Sequence, residues 1–390
     1  MILSASYTMK NLWARRVTAG LTVIGLGLVV FVFLGVLMLA HGLEHTLTST
    51  GDPNNAIILR KGALSEIDSQ VSREHTKVLA SEPEVRLADD GRTLAVNELG
   101  LQLTLVKPGT NSLASLVLRG TSHESLLVRP KVRLTHGRLW APGTTEVIVG
   151  KQVAAQFPMA SLGRSLRFGQ REWTVVGIFE ADGSGFESEV WGDVEQFMMT
   201  FHRTAFTSMT VRLTNPTLLG PFKGRIEEDP RFRVTVRREP EFYEEKAKTL
   251  ARMIRVTGLF LTSVFSVGAV LGATMTMSAS VAQRTTEIGT LRTLGFTRRE
   301  ILQAFLTESA GLGLIGGVIG VIAASGLQFV TVSTLNMDSM SELAFRFRLT
   351  SLMIVQGVGF ALIMSVVAGF FPAARAASLD IVQALGERTI

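Results

Sequence analysis

Four long stretches of the chain are almost free of charge. Val17–Ala40, Val256–Ala282 and Leu349–Phe371 carry none, and Ile301–Val332 carries one ionisable residue, Glu308. At about 1.5 Å of rise per residue, each is long enough to cross a hydrocarbon core of about 30 Å. The pattern therefore predicts four transmembrane α-helices. They are separated by residues 41–255, by a charged segment 283–300 and by a short loop 333–348, and flanked by termini 1–16 and 372–390. Four spans place both termini on one side.

Residues 41–255 have a different rhythm. Ala56–Arg60 reads as a strand and Ile67–Ala80 as a helix. Strand-and-turn alternation follows at Leu101–Lys107, Leu126–Leu134, Glu146–Val149, Ser165–Arg167 and Trp173–Phe179, punctuated by Gly143, Gly150, Gly163 and Gly169. Phe232–Val236 alternates with Arg231, Arg233 and Arg237, which reads as the solvent face of a strand. The acidic stretch Glu180–Glu189 reads as a solvated hairpin tip. The expected fold is thus a membrane protein with a large extracytoplasmic α+β domain between spans one and two. Leu39, Leu43 and Leu47 continue the first span outward at helical spacing. Tyr243, Ala247, Leu250 and Ile254 lead into the second in the same way.

Composition agrees with a mixed architecture: 46% of residues are hydrophobic and 18% charged. The net charge of +6 is unevenly placed. Residues 41–250 hold 26 basic and 26 acidic residues, while the short segments beside the spans hold nine cations (Lys10, Arg15, Arg16, Arg284, Arg292, Arg298, Arg299, Arg375, Arg388) against four acids. Excess Lys and Arg in short loops marks the cytoplasmic side, so the large domain is expected outside, in the periplasm of a cell whose inner membrane holds the spans. Nucleic acid is not an expected partner. There is no cysteine, which removes disulfides, thiolate metal sites and cysteine nucleophiles.

Little in the chain suggests chemistry of its own. No GxxxxGK[ST] loop is present, so any ATP is expected to be bound elsewhere. His41 and His45 share a helix face but lack a third ligand nearby, and no set of nucleophile, base and acid can be assembled; no cofactor, metal or catalytic residue is expected. Gly311-x-Gly313-x-x-Gly316 matches a dinucleotide fingerprint, but lies inside an apolar span with no strand before it. The glycine pairs Gly268/Gly272, Gly313/Gly317 and Gly316/Gly320 are spaced for close helix packing, within one chain or between two. Glu308 is costly in hydrocarbon; it is expected either to pair with a cation from the inside or to take part in coupling.

Three motifs resemble the MacB/FtsX-like permeases, the macrolide-exporter and lipoprotein-release type of ABC system. Glu287-Ile-Gly-x-Leu-Arg-x-Leu-Gly followed by Arg298-Arg299-x-Ile301 is similar to the family's cytoplasmic coupling segment. Phe371-Pro-Ala-Ala-Arg-Ala-Ala-Ser-Leu-Asp resembles its exit helix, although Ile381 and Gln383 depart from the common residues. Glu146-Val-Ile-Val-Gly, Gly163 and Trp173-Thr-Val-Val-Gly-Ile resemble strands of its periplasmic domain. The resemblance implies a permease subunit, itself not an enzyme and without a fused ATPase. It would be seated as a homodimer, or with a related permease, on separate ABC ATPase subunits that bind ATP and Mg. Arg284, Glu287, Leu291, Arg292, Arg298 and Arg299 would receive the ATPase's motion and pass it outward by mechanotransmission for efflux. A periplasmic adaptor, an outer-membrane channel and membrane lipid are the further partners implied. Extraction of lipoproteins or lipids is the alternative; activation of a cell-wall hydrolase is another, disfavoured by the size of the outside domain.

Overall fold

The computed structural model describes residues 16–106, 113–336 and 341–379. The positions noted at Lys10, Arg15, Asp380, Ile381, Gln383 and Arg388 lie outside them. In chain order the elements are α1 (Arg16–Thr48), β1 (Asn55–Arg60), α2 (Arg73–Ala80), β2 (Ala95–Val106), β3 (Leu113–Thr121), α3 (Ser125–Val128), β4 (Arg133–Gly137), β5 (Glu146–Gly150) and α4 (Lys151–Gln156). There follow β6 (Ser165–Phe168), β7 (Arg171–Glu180), β8 (Glu189–Asp193), α5 (Val194–Thr200), β9 (Ser208–Arg212), α6 (Leu219–Glu228) and β10 (Val234–Arg238). The chain then runs through α7 (Glu239–Gln283), α8 (Thr285–Thr293), α9 (Arg298–Ser325), β11 (Thr331–Asn336), β12 (Ser341–Arg346) and α10 (Ser351–Ser378). Two compact units result, one built on residues 42–251 and one on the long helices.

In the first unit the strands form one mixed sheet in the order β10-β1-β9-β2-β3-β8-β5-β7-β4, with β6 on β7. The pairs β3/β8 and β5/β7 are parallel and the other paired strands antiparallel. Both faces of the central strands are covered, which is why their sequences are continuous apolar runs. In β1, Ala56 and Ile58 join one core with Phe222 and Val236, while Ile57 and Leu59 join another with Trp191, Phe242 and Tyr243. In β5, Val147 and Val149 face Trp173 and Phe197, and Ile148 faces the opposite side.

Four sequence expectations shift here. The helix expected over 67–80 begins only at Arg73, because Ser72 takes an extended conformation and caps it by accepting from the His75 amide, while Val71 bridges to Phe206. The strand expected over 126–134 is divided between α3 and β4, with Pro130 between them. Of the acidic stretch only the turn at Asp182 and Gly183 is solvated: Gly185–Ser188 is a buried 3-10 turn, Glu187 accepts from the amides of Ala181 and Gly183, and Glu189 lies in the interior. The basic stripe is shifted: the strand runs Val234–Arg238 at the sheet edge, Arg231 and Arg233 are exposed before it, and Arg231 pairs with Asp229 and Arg237 with Glu245.

The second unit contains four helices long and apolar enough to cross a membrane. Here α9 sits between two neighbours. Cβ atoms built on Gly316 and Gly320 would fall 3.0 Å from the Val23 carbonyl oxygen and 2.6 Å from that of Gly27, so this pair lets α1 approach. Gly313 and Gly317 stand as close to Ser365 and Ala361 of α10. Four residues of separation place each pair on one stripe, and the two stripes serve two partners. A Cβ built on Gly268 or Gly272 of α7, by contrast, would meet nothing within 4 Å among the described residues. The third span ends as a helix at Ser325 rather than running to 332; a 3-10 turn and β11 follow, and the expected loop is a two-stranded hairpin.

The fourth helix continues past Phe371 to Ser378 with Pro372 inside it. Proline removes the amide that would bond the carbonyl four residues back, at Ala368. The Thr274 hydroxyl of α7 donates to that carbonyl at 3.0 Å and repairs the gap.

Candidate functional site

The segment between the second and third spans folds as a helix of its own. α7 ends at Gln283, Arg284 breaks the helical geometry, and α8 runs nine residues to Thr293. It closes on Gly295, whose φ of 95° is the left-handed conformation; the Phe296 amide reaches back to the Leu291 carbonyl and the Gly295 amide to that of Arg292. α9 then starts on a capping box in which Thr297 and Glu300 satisfy each other's backbone amides.

Helical spacing puts Glu287, Leu291 and Leu294 on one stripe of this segment and Ile288, Arg292 and Gly295 on the neighbouring one, and the two have different fates. Ile288 is buried with Met277, Val281, Ile301, Phe305 and Ala376 at the base of the helices. Glu287 and Leu294 point outward, Leu294 being 72% exposed, and Leu291 and Arg292 are half-buried. Arg298 and Arg299 are exposed at the start of α9. So α8 is anchored by one face and presents Glu287, Leu291 and Leu294 on another.

Arg284 is the junction. Its guanidinium donates to Glu308 at 3.0 Å and to Glu287 at 3.2 Å, and lies 5.4 Å from the Phe305 ring centre. It ties the start of α8 to the one carboxylate inside the third span, which therefore pairs with a cation from the loop. Beside Glu308 opens a small cleft of about 30 Å³ whose lining includes Thr18, Thr22, Thr276, Ser280 and Ser365. All four long helices contribute to this lining.

Sequence reasoning missed a second constellation, inside the 42–251 unit. Arg119 of β3 donates to both oxygens of Glu189 at 2.7 and 2.8 Å and to Glu66 at 2.8 Å. Arg129 donates to Glu98 at 2.6 and 2.8 Å and to Glu239 at 2.9 Å. Tyr243 donates to Glu66, Thr210 to Glu98, Trp191 to Glu189, and Asn55 to Glu239. The Phe186 ring lies between the two guanidiniums, 5.3 and 4.8 Å away. Burial pushes Glu98 up, but Arg129 and Arg119 outweigh it and hold the carboxyl at about 2. Burial pushes Glu189 up too; there Arg119 opposes but Glu66 reinforces, and the carboxyl stays above its ordinary value. The signal was present: Glu98 and Arg119 are single charges within the apolar strands Ala95–Val106 and Leu113–Thr121.

Glu239 and Tyr243 occupy the first two turns of α7, so the helix that ends at Arg284 starts in this buried cluster. Fold and site together define a class, a four-helix membrane protein with a mixed-sheet domain inserted after its first helix. The family model for the MacB-like periplasmic core domain matches residues 19–229, and that for the FtsX-like permease C-terminal region matches 259–381. The chain belongs to the MacB/FtsX-like permease family.

Among its relatives, an uncharacterized ABC transporter permease of Methanocaldococcus jannaschii is 30% identical over 145 residues, 36% of each chain. The macrolide export ATP-binding/permease protein MacB of Bdellovibrio bacteriovorus is 20% identical over 414 residues, 96% of this chain and 60% of that one. The chain thus spans between 36% and 60% of the length of these two curated relatives. The solved periplasmic region of MacB from Actinobacillus actinomycetemcomitans aligns with a TM-score of 0.38 at 15% identity, over 50% of this chain and 94% of that one.

Proposed function

We propose that this chain is the permease subunit of an ABC efflux system of the MacB type, passing the motion of a separate ATPase to work done in the periplasm. The observation that carries this reading is α7, a single 45-residue helix. At about 1.5 Å per residue it is about 68 Å of unbroken backbone, with Glu239 and Tyr243 clamped at one end and Arg284 at the other. A helix without an internal break transmits displacement instead of absorbing it. On this reading the ATPase, which holds ATP and its magnesium, docks on Glu287, Leu291 and Leu294, with Arg292, Arg298 and Arg299 beside them. The inner membrane holds the four spans, and the 42–251 unit faces the periplasm, where an adaptor and an outer-membrane channel would complete the path. The permease would act as a pair, and membrane lipid would bathe the outer faces of its helices.

The test is charge reversal of Glu287 and Arg292 together, with complex assembly, ATP hydrolysis and substrate export measured side by side. The purified chain alone hydrolyses no ATP above background; hydrolysis follows addition of the ATPase subunit. The reversed variant folds and assembles but exports nothing. Full export by that variant would remove α8 from the mechanism.

A further inference from the structure

The buried cluster of the 42–251 unit has an unequal charge count. Four carboxylates, Glu66, Glu98, Glu189 and Glu239, share two guanidiniums, Arg119 and Arg129. The nearest further pair, Asp52 with Arg212, cancels itself. Lys131, held at the carbonyls of Ser49 and Gly51, is the next cation. Even with Lys131 included, these groups carry one negative charge in excess, and the buried Glu187 in the adjoining turn, held by the amides of Ala181 and Gly183, adds no cation to offset it. An uncompensated buried charge is expensive, and proteins relieve it by taking up a proton.

The excess falls on the Arg119 half. Arg129 holds Glu98 in a two-pronged pair and takes Glu239 on its third nitrogen, whereas Arg119 divides itself between Glu189 and Glu66 and reaches Glu98 only at 3.4 Å. Glu189 and Glu66 thus repel each other across one cation, with Tyr243 donating to Glu66 from α7. Glu98 from β2, and Glu239 and Arg129 behind it, complete the charged surroundings.

We propose that this cluster is a proton-operated clamp on the first turns of α7, tightening its hold on Glu239–Tyr243 when one proton enters at Glu189 and loosening when that proton leaves. The direction follows from linkage. A carboxyl that binds its proton more tightly in the closed cluster than in an open one favours closure at low pH, and that contribution is lost as pH rises through its closed-state value. Glu98 acts oppositely, but only in far stronger acid, so the two effects occupy separate pH ranges. In a compartment whose pH follows the surroundings, the clamp would set how firmly the domain grips the helix that enters the membrane. It goes beyond the transport reading and does not depend on what is exported.

The experiment is hydrogen exchange by mass spectrometry on the full chain in lipid nanodiscs, at about pH 7.5 and about pH 5.5, corrected for intrinsic exchange rates. In the wild type, protection of the peptides covering 239–247 should rise about threefold or more in acid. In Glu189→Gln, which removes the excess charge, protection should be high at both values. Groups outside the cluster are the same in both proteins, so the difference between them belongs to the cluster. Unchanged or lower protection of the wild type in acid would overturn the clamp, as would a Glu189→Gln variant with the wild-type pH response. If Glu189→Gln does not fold, Glu66→Gln, which removes one negative charge from the same Arg119 half, is read in its place with the same expected and overturning outcomes.

Discussion

At the residue scale, the strongest constraints are those where one side chain answers for several others. Arg119 is the cation for Glu66 and Glu189, and Arg119→Met leaves both carboxylates buried without it. Breaking a buried pair from one side costs about 3–5 kcal/mol, so this variant should lose most of the unit's stability in a denaturant titration of the full chain. Glu98 makes a pH statement with the opposite sign to the clamp. Its carboxyl is held at about 2, below its ordinary 4.5, so the stability it contributes is complete above that ordinary value and drains away as pH falls toward 2. Glu98→Gln should be less stable at neutral pH and show a shallower acid slope than the wild type between about pH 4.5 and 2. In the membrane unit, Gly320→Val would drive a side chain into the Gly27 carbonyl and Val30. Overpacking of this kind costs about 1–3 kcal/mol, and a lowered melting temperature in detergent would report it. Gly272→Val meets open space and should leave the isolated subunit's melting temperature unchanged.

At the scale of elements, α8 is two-faced, and substitutions on its two faces should separate folding from coupling. Ile288→Asp places a charge in the packed base formed with Met277, Ile301 and Ala376 and should abolish the folded subunit, seen as loss of the monodisperse peak in size exclusion. Leu294→Asp, on an exposed position, should leave that peak intact, and under the proposed function it should uncouple the partner's ATP hydrolysis from export. This division was only half legible in the sequence. Spacing gave two stripes, each mixing charge with apolar residues, and nothing local distinguishes Ile288 from Leu291; only packing against three other helices does. The spans were legible because a bilayer demands an uncharged run of fixed length. Their ends were not: a hairpin begins where the third apolar run still continues, and the fourth helix passes through Pro372 because Thr274, nearly a hundred positions earlier, supplies the missing hydrogen bond. In the 42–251 unit β1, β5, β6 and β7 were found where apolar runs sit between turn residues, the stretch 126–134 merged α3 with β4, and β3, β8 and β9 were not read at all. The ionic cluster escaped because its members, from Glu66 to Tyr243, are far apart in the chain and were read one at a time.

At the scale of the whole molecule, the sidedness of the chain is open to a direct test because it contains no cysteine. Leu64 is 83% exposed in the 42–251 unit and Thr297 is exposed between α8 and α9. An impermeant thiol reagent added to intact cells should modify Leu64→Cys and spare Thr297→Cys; the reverse pattern would invert the topology. Ser184, within the stretch read as a solvated tip, is buried and would be silent on either side. The sheet order also bears on how the protein is made. β1 lies between β9 and β10, with Ile57 opposite Arg237 on one side and Thr210 on the other. The first strand to leave the membrane thus waits for the last two, and the buried carboxylates wait longer still, until Tyr243 has been delivered. Pairings of such sequence separation form slowly. While the ribosome is still adding residues before about 240, the emerging segment has no finished core, so holding it unaggregated falls to whatever chaperones attend secretion. The domain closes only as the second span arrives to be inserted. A chain cut before β10 should accordingly be degraded during biogenesis, whereas one cut after α7 should leave a protease-resistant domain tethered by two helices.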